Sequence, residues 1–332
     1  MVLFITQKHI VSYVDTINLF IELFNKNLHW EKAMDRKRKV LLTLVFVLIT
    51  LFQIAVCAEP ALAVEVKVYA FTCGILKTQT QYLLKDTRPG TPFDIPVTFF
   101  LIKHGNDWVA YDTGNNAMVA KDPIGYWSEA VVKAYTPVMK DYEEFQVQIK
   151  KLGITPKDIK AVIISHGHLD HAGAIDNFKG TNVPIYLQKK ELDEINKAIA
   201  SGQKSAYIPD DFKVMKELNI KTIEGVLDLF GDQTVVAFPT PGHTPGHQSL
   251  MVKRGDRKSL ILCADAGYTI ENMMEAIPPG LAWDIPQSLE ALYIFKVMKY
   301  LGADIVPSHD PDYWKNRPLA PKPFTTKKVS TK

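Results

Sequence analysis

Four side chains able to do chemistry together fall within six residues: His166, His168, Asp170 and His171, in the run Ser165-His166-Gly167-His168-Leu169-Asp170-His171. Packing explains such a cluster poorly, because ionisable groups are costly to bury unless they are paired or coordinate a cation. Nitrogen and oxygen donors without a thiolate suit zinc and its borderline neighbours. In an extended segment, residues two apart point to the same side, so His166 and His168 can share one ion. Asp170 and His171 come after the chain turns and are better placed for a second. Closing four bonds around one tetrahedral centre from six residues would be strained, so further ligands must come from elsewhere.

Candidates stand downstream. His243 lies in Pro241-Gly242-His243-Thr244-Pro245-Gly246-His247, after the strand-like Thr234 to Phe238. Asp265 follows the apolar run Ser259 to Ala264, and His309 follows Ile305-Val306-Pro307-Ser308. The first cluster itself follows Ala161-Val162-Ile163-Ile164, which reads as a short buried strand. Each candidate ligand therefore sits just past a strand, as expected when several strands deliver side chains to one rim. His247 is read as structural, because the ligand set is complete without it, and His9, His29 and His104 as surface groups.

In this order, His166-x-His168-x-Asp170-His171, then His243, Asp265 and His309, the ligands resemble the dinuclear metal signature of the metallo-β-lactamase superfamily. Two further stretches, Thr240 to Leu250 and Asp265-Ala266-Gly267-Tyr268, most resemble its N-acyl-homoserine lactonases, the quorum-quenching branch. The resemblance runs from about Val64 into the C-terminal region. It implies two divalent metal ions, with zinc the first choice. One would be held by His166, His168 and His243, the other by Asp170, His171 and His309, with Asp265 joining them. It also implies that Tyr268 hydrogen-bonds the substrate carbonyl region and that Asp112 supports the metal loop from behind. Asp170 is the expected proton shuttle to the leaving oxygen.

Two cations about 3.5–4 Å apart hold a bridging water and lower its pKa from ~15.7 toward ~7, supplying a nucleophile without serine or cysteine. The expected reaction is opening of the lactone ring of an N-acyl-homoserine lactone by that bridging hydroxide. The alternative is another hydrolase of the same fold, a glyoxalase II-like thioesterase or an aryl-ester or phosphotriester hydrolase, against which the Asp265-x-x-Tyr268 pairing argues. A flavodiiron oxidoreductase would carry glutamate in place of His168 and a flavin domain, for which no region is available. A binding protein that had lost catalysis is disfavoured by the full set of seven ligand types. Taken alone, Asp112-Thr113-Gly114 would suit an aspartic protease, but no second copy supplies the paired carboxylate short of a homodimer. Phe71, Phe93, Phe100, Trp127 and Trp283 are candidate walls for an acyl pocket, against plain packing as the commoner role of such aromatics.

The elements that must position these groups read as strands at 64–71, 97–102 and 108–111. A helix is expected over 141–152, with Phe145, Ile149 and Leu152 on one stripe and Gly153 as its stop. After the metal strand come a strand at 184–187, a helix near 190–200, and strands at 219–223, 234–239, 247–252 and 258–264. A helix from about Pro286 to Leu301 precedes the strand into His309. Two strand-rich halves with helices outside predict an α/β fold, an αβ/βα four-layer sandwich with the metal rim between its sheets. The Lys- and Pro-rich tail from about residue 317 is expected to be mobile.

The chain has 332 residues, is 47% hydrophobic and carries a formal charge of +3, enough apolar material for a sizeable core. Two of those three net charges lie in residues 1–63, with seven Lys and Arg against five Asp and Glu. Nothing in that balance calls for nucleic acid. Residues 1–33 are read as an upstream extension preceding a start at Met34, or else as containing an amphipathic helix at Ile17 to Phe24. Arg36-Lys37-Arg38-Lys39, the apolar run Val40 to Val56 and the small residues at Val56-Cys57-Ala58 or Ala61-Leu62-Ala63 describe a secretory signal over 34–63. Residues 40–56 uncleaved would be a membrane anchor, and both routes place the catalytic region, 64–332, outside the cytosol as a periplasmic or secreted protein. Cys73 and Cys263 then remain, expected as buried thiols packed like small hydrophobes rather than as a disulfide.

Overall fold

The structure is a computed structural model that describes residues 64–255 and 257–327. The readings of residues 1–63 lie outside the described residues. Alternation along the strands decides the layering. In β1 (Val66–Gln79), Val66, Val68 and Ala70 face one core, while Tyr69, Phe71 and Cys73 face another. A strand buried on both faces must sit inside a stack of layers.

β1 belongs to a seven-stranded sheet with β2 (Pro92–His104), β3 (Asp107–Tyr111), β4 (Thr136–Val138), β5 (Ile159–Ile163), β6 (Pro184–Gln188) and β7 (Asn219–Ile223). Its order is β4-β1-β2-β3-β5-β6-β7, antiparallel from β4 to β3 and parallel from β3 to β7. The second sheet holds β8 (Leu227–Asp228), β9 (Val235–Pro239), β10 (Gln248–Arg254), β11 (Arg257–Leu262) and β12 (Asp304–Val306), in the order β12-β11-β10-β9-β8. Between the sheets, Val68, Ile102 and Ile163 meet Ala237, Leu250 and Leu262. Outside the first sheet pack Phe145, Phe178 and Phe212 together with Ile195 of α1 (Lys189–Ser201). Outside the second, α2 (Ile285–Tyr300) lays Ala291, Leu292 and Phe295 on Ile261 and Cys263. This is the expected αβ/βα four-layer sandwich.

Several expectations differ from what the structure shows. The helix over 141–152 is broken into a five-residue helix, Phe145–Ile149, between two 3-10 turns. Glu144 is extended at the break, and the Glu143 side chain accepts the Lys140 N–H at 2.8 Å, closing the first turn on itself before the helix starts. The first strand runs to Gln79 instead of stopping at Phe71, passing a register shift between Thr72 and Ile75. The tail from about residue 317 packs on the fold as far as residue 327: Ala320 and Phe324 donate their N–H groups to the carbonyls of Ala70 and Val68, and Phe324 is buried against Phe100 and Trp314. Its aromatic anchor outweighs the polar composition around it. Cys73 and Cys263 are buried free thiols. His104, read as a surface group, is mostly covered, stacked on Phe230 and paired with Asp232 at 2.7 Å. Among the described residues, no helix is long and apolar enough to cross a membrane.

Candidate metal centre

The seven predicted ligands converge where the strands of both sheets end. Ligand atoms of His166, His168, His243 and Asp265 lie within 4.8 Å of one another, and those of Asp170, His171 and His309 form a second such group. Asp265 faces both. Its Oδ2 lies 3.5 Å from His166 Nε2 and 3.4 Å from His243 Nε2, and its Oδ1 lies 2.9 Å from His171 Nε2 and 3.0 Å from His309 Nε2. One carboxylate oxygen per group is the arrangement of a bridging ligand.

Hydrogen bonds behind His171 and His309 fix which nitrogen each presents. Asp112 is an acceptor only, so His171 donates Nδ1–H to it at 2.8 Å and turns Nε2 into the site. His309 likewise donates Nδ1–H to the Pro96 carbonyl at 2.8 Å. Asp112 also accepts the Ser165 N–H at 2.7 Å and its hydroxyl at 2.9 Å, tying the start of the histidine segment to the end of β3. His247 is in neither ligand group. Its Nε2 accepts the Asp265 N–H at 3.1 Å, and its Nδ1–H donates to Thr240 Oγ1, which donates to Ser249 Oγ, whose hydroxyl donates in turn to the Cys263 carbonyl. It therefore holds the backbone of the shared carboxylate.

The arrangement fits cations. His166 Nε2 is buried with no hydrogen-bond partner while Nδ1 is engaged by Ser165 Oγ at 2.9 Å. His243 Nε2 and His168 Nδ1 face each other at 2.9 Å. Lone pairs aimed at one point in a buried site call for a positive centre. Burial, aided by neighbouring histidines, pushes His166 well below the ordinary imidazole range. Burial also brings His168 and His243 down to about 3, against the pull of Asp265, so all three are neutral donors at pH 7. In the second group burial opposes protonation too, but Asp265, Asp170 and Asp112 together raise His171 well above that range, and Asp265 and Asp170 raise His309. Burial would raise Asp265, yet His171, His309 and His166 hold it well below the usual carboxylate range.

A cleft opens over the two groups. Tyr268, Asp170 and His309 line its floor, and Leu76, Leu83, Ile95 and Leu281 are among its apolar walls. Tyr268 Oη lies 3.2 Å from His243 Nδ1. None of the five aromatics proposed as acyl-pocket walls lines it. Phe71 stacks on Phe99, Phe100 lies between the sheets, Trp127 is fully buried, Phe93 packs against the outer core, and Trp283 is 57% exposed. Tyr82 and Tyr135 take that place. Glu191, fully buried beneath the two histidine loops, was not anticipated; only its place near the start of a predicted helix was visible.

Such a fold with such a rim defines a metal-dependent hydrolase of the dinuclear type, in which divalent ions lie at the open edge between two sheets. The sequence matches the metallo-beta-lactamase superfamily over residues 93–309, and the chain belongs to that superfamily. It is 33% identical over 261 residues to the N-acyl homoserine lactonase AttM of Azorhizobium caulinodans, covering 77% of this chain and 98% of that one. It is 30% identical over 223 residues to an N-acyl homoserine lactonase of Bacillus thuringiensis, covering 65% and 84%. A solved N-acyl homoserine lactone hydrolase, with N-hexanoyl-L-homoserine bound at its catalytic metal centre, superposes with a TM-score of 0.69 at 28% identity, covering 79% of this chain and 100% of that one.

Proposed function

We propose that the chain hydrolyses the ring ester of N-acyl-homoserine lactones, giving the open N-acyl-homoserine, with two zinc ions at His166, His168 and His243 and at Asp170, His171 and His309, bridged by Asp265. The observation that carries this reading is the meeting of both ligand groups and Tyr268 at the floor of an apolar cleft. Divalent ions bound there supply Lewis-acid polarisation of the ester carbonyl and acidify water toward pKa ~7, so that a nucleophile is present at neutral pH.

The chain's own groups do the rest. His243, which would hold the first ion through Nε2, would donate Nδ1–H to Tyr268 Oη 3.2 Å away, so that the phenolic proton, which faces Asp265 in the free site, would be placed to donate to the substrate carbonyl. Burial keeps that phenol well above its ordinary range, hence protonated. Asp170, at the floor of the cleft beside His309, has a second carboxylate oxygen placed to take a proton in transit and pass it to the ring oxygen as the acyl C–O bond breaks. Water adds hydroxyl to the acyl carbon, the ring oxygen gains hydrogen, and the new acid ionises. The leucine and isoleucine walls receive the acyl chain.

The test is pH-stat titration of the metal-loaded chain with short- and long-chain acyl-homoserine lactones, with a thioester and a phosphotriester as rivals and His168→Ala as control. Acid release from lactone by native protein and not by the variant is expected. Thioester or phosphotriester turnover without lactone turnover would transfer the site to another hydrolase class. We further propose export through residues 34–63, on the basic and apolar pattern from Arg36 to Val56. N-terminal sequencing of the protein recovered outside the cytosol should begin near residue 59 or 64, and recovery with Met34 intact in the cytosol would exclude export.

A further inference from the structure

Glu191 is 0% exposed, near the start of α1, and its carboxylate is surrounded by donors. Oε1 accepts the Gly167 N–H at 2.8 Å and the Tyr207 hydroxyl at 2.7 Å, and Oε2 accepts the Thr244 hydroxyl at 2.6 Å. The Gly246 N–H is a fourth donor. A carboxylate offers about four lone-pair sites, and here donors take them all. These donors come from both loops that carry the first ligand group: Gly167 stands between His166 and His168, and Thr244 follows His243. Tyr207 in turn sets its ring edge-on to His168, with centroids 4.6 Å apart.

The helix sits too close to these loops for its position to be incidental. A Cβ at Gly246 would lie 2.1 Å from the Glu191 backbone nitrogen, and one at Gly167 would lie 2.7 Å from Ile195 on the same helix. Two loops, distant in sequence, are therefore pressed against one helix and pinned to one carboxylate. Asp170, His171 and His309 take no bond from it. We infer that Glu191 is the positioning residue for the first metal site, fixing His166, His168 and His243 in mutual register through four hydrogen bonds. The inference rests on the metal reading of the site and not on the choice of lactone as substrate.

Glu191→Gln keeps the shape and reverses the chemistry at one oxygen. Hydroxyls of Tyr207 and Thr244 can turn to accept, but the N–H of Gly167 or Gly246 must then face an amide NH₂. Metal-free protein, titrated with cobalt(II) chloride, is followed by stoichiometry, affinity and the visible absorption of the bound cobalt. Wild type should bind two ions. In Glu191→Gln one ion should weaken roughly 10–100-fold while the other keeps its affinity. The remaining spectrum should match that of His168→Ala and not that of His309→Ala. Two ions at wild-type affinity, or equal weakening of both, overturns the assignment. A wild-type chain that binds no cobalt overturns the metal reading along with it. If Glu191→Gln does not fold, Thr244→Val removes one of the four donors alone: selective weakening of the same ion supports the assignment, and wild-type binding overturns it.

Discussion

Replacing Asp112 by asparagine should cost the protein the ion at Asp170, His171 and His309 while leaving the fold in place. Asp112 has a φ of +62°, which asparagine tolerates better than most residues, so the backbone is not the confounder that alanine would make it. An asparagine oxygen can still accept the Ser165 N–H. Its NH₂ then lies where a carboxylate oxygen stands 2.8 Å from His171 Nδ1. If His171 keeps its proton on Nδ1, two donors oppose each other in a buried site, costing about 1–3 kcal/mol. If it takes the other tautomer, Nε2 carries hydrogen toward Asp265 Oδ1, 2.9 Å away, and has no lone pair for a metal. Both branches predict roughly 10–100-fold weaker binding of one ion, or about 1.4–2.8 kcal/mol. Competition for zinc against a chromogenic chelator measures the loss, and thermal unfolding of the metal-free forms reports the fold. Asp112→Asn with both ions at wild-type affinity would refute the tautomer reasoning.

The two ligand groups should differ in proton release on metal loading: at pH 7 the lowered His166, His168 and His243 release none, while the raised His171 and His309 must shed protons to bind, as an unbuffered indicator titration would record. Uptake without proton release contradicts this. His168 and His243 sit at about 3 when folded against an ordinary 6.5, so the unfolded chain takes up protons first as pH falls. Each should remove about 1.4 kcal/mol of metal-free stability per pH unit from 6.5 down to about 3, with no loss above 6.5 from these groups; a denaturant midpoint flat across that window would contradict it. Tyr268→Phe should keep both ions and lose on the order of 10²-fold in kcat; an unchanged kcat at equal metal content would remove the hydroxyl from the reaction. Phe324→Ala should destabilise by about 3 kcal/mol, the low end for a buried aromatic near a chain end, and an unchanged thermal midpoint would mean the tail is loose.

Much of the site was legible because its ligands are tied to strand ends. A short apolar run announces β5, β11 or β12, and the polar residue that ends the run falls at the rim by parity alone. Layering was legible for the same reason, since β1 and β11 place alternate residues in different cores. What stayed hidden depends on contacts between distant segments. Glu191 reads as an ordinary exposed residue of an amphipathic helix until Gly167 and Thr244 are brought against it. The helix at 141–152 has a sound stripe, but periodicity carries no notice of the extended Glu144 that splits off its first turn. Tyr82 and Tyr135 become cleft walls, and Phe71 and Phe100 do not, because the face a strand residue takes is set by its neighbours' register, which a list of aromatic positions does not contain.

The docked tail does one thing more. Along its first half β1 hydrogen-bonds to β2 on one side, while β4 reaches only Ile75 to Lys77 on the other. The N–H groups of Ala320 and Phe324 cap the carbonyls of Ala70 and Val68 on that margin, which no other described strand covers. An unpaired strand margin is a template for another chain, so a protein clipped before Leu319 should fail by sticking to its own kind, turning cloudy with rising concentration while its dilute, soluble fraction still turns over substrate.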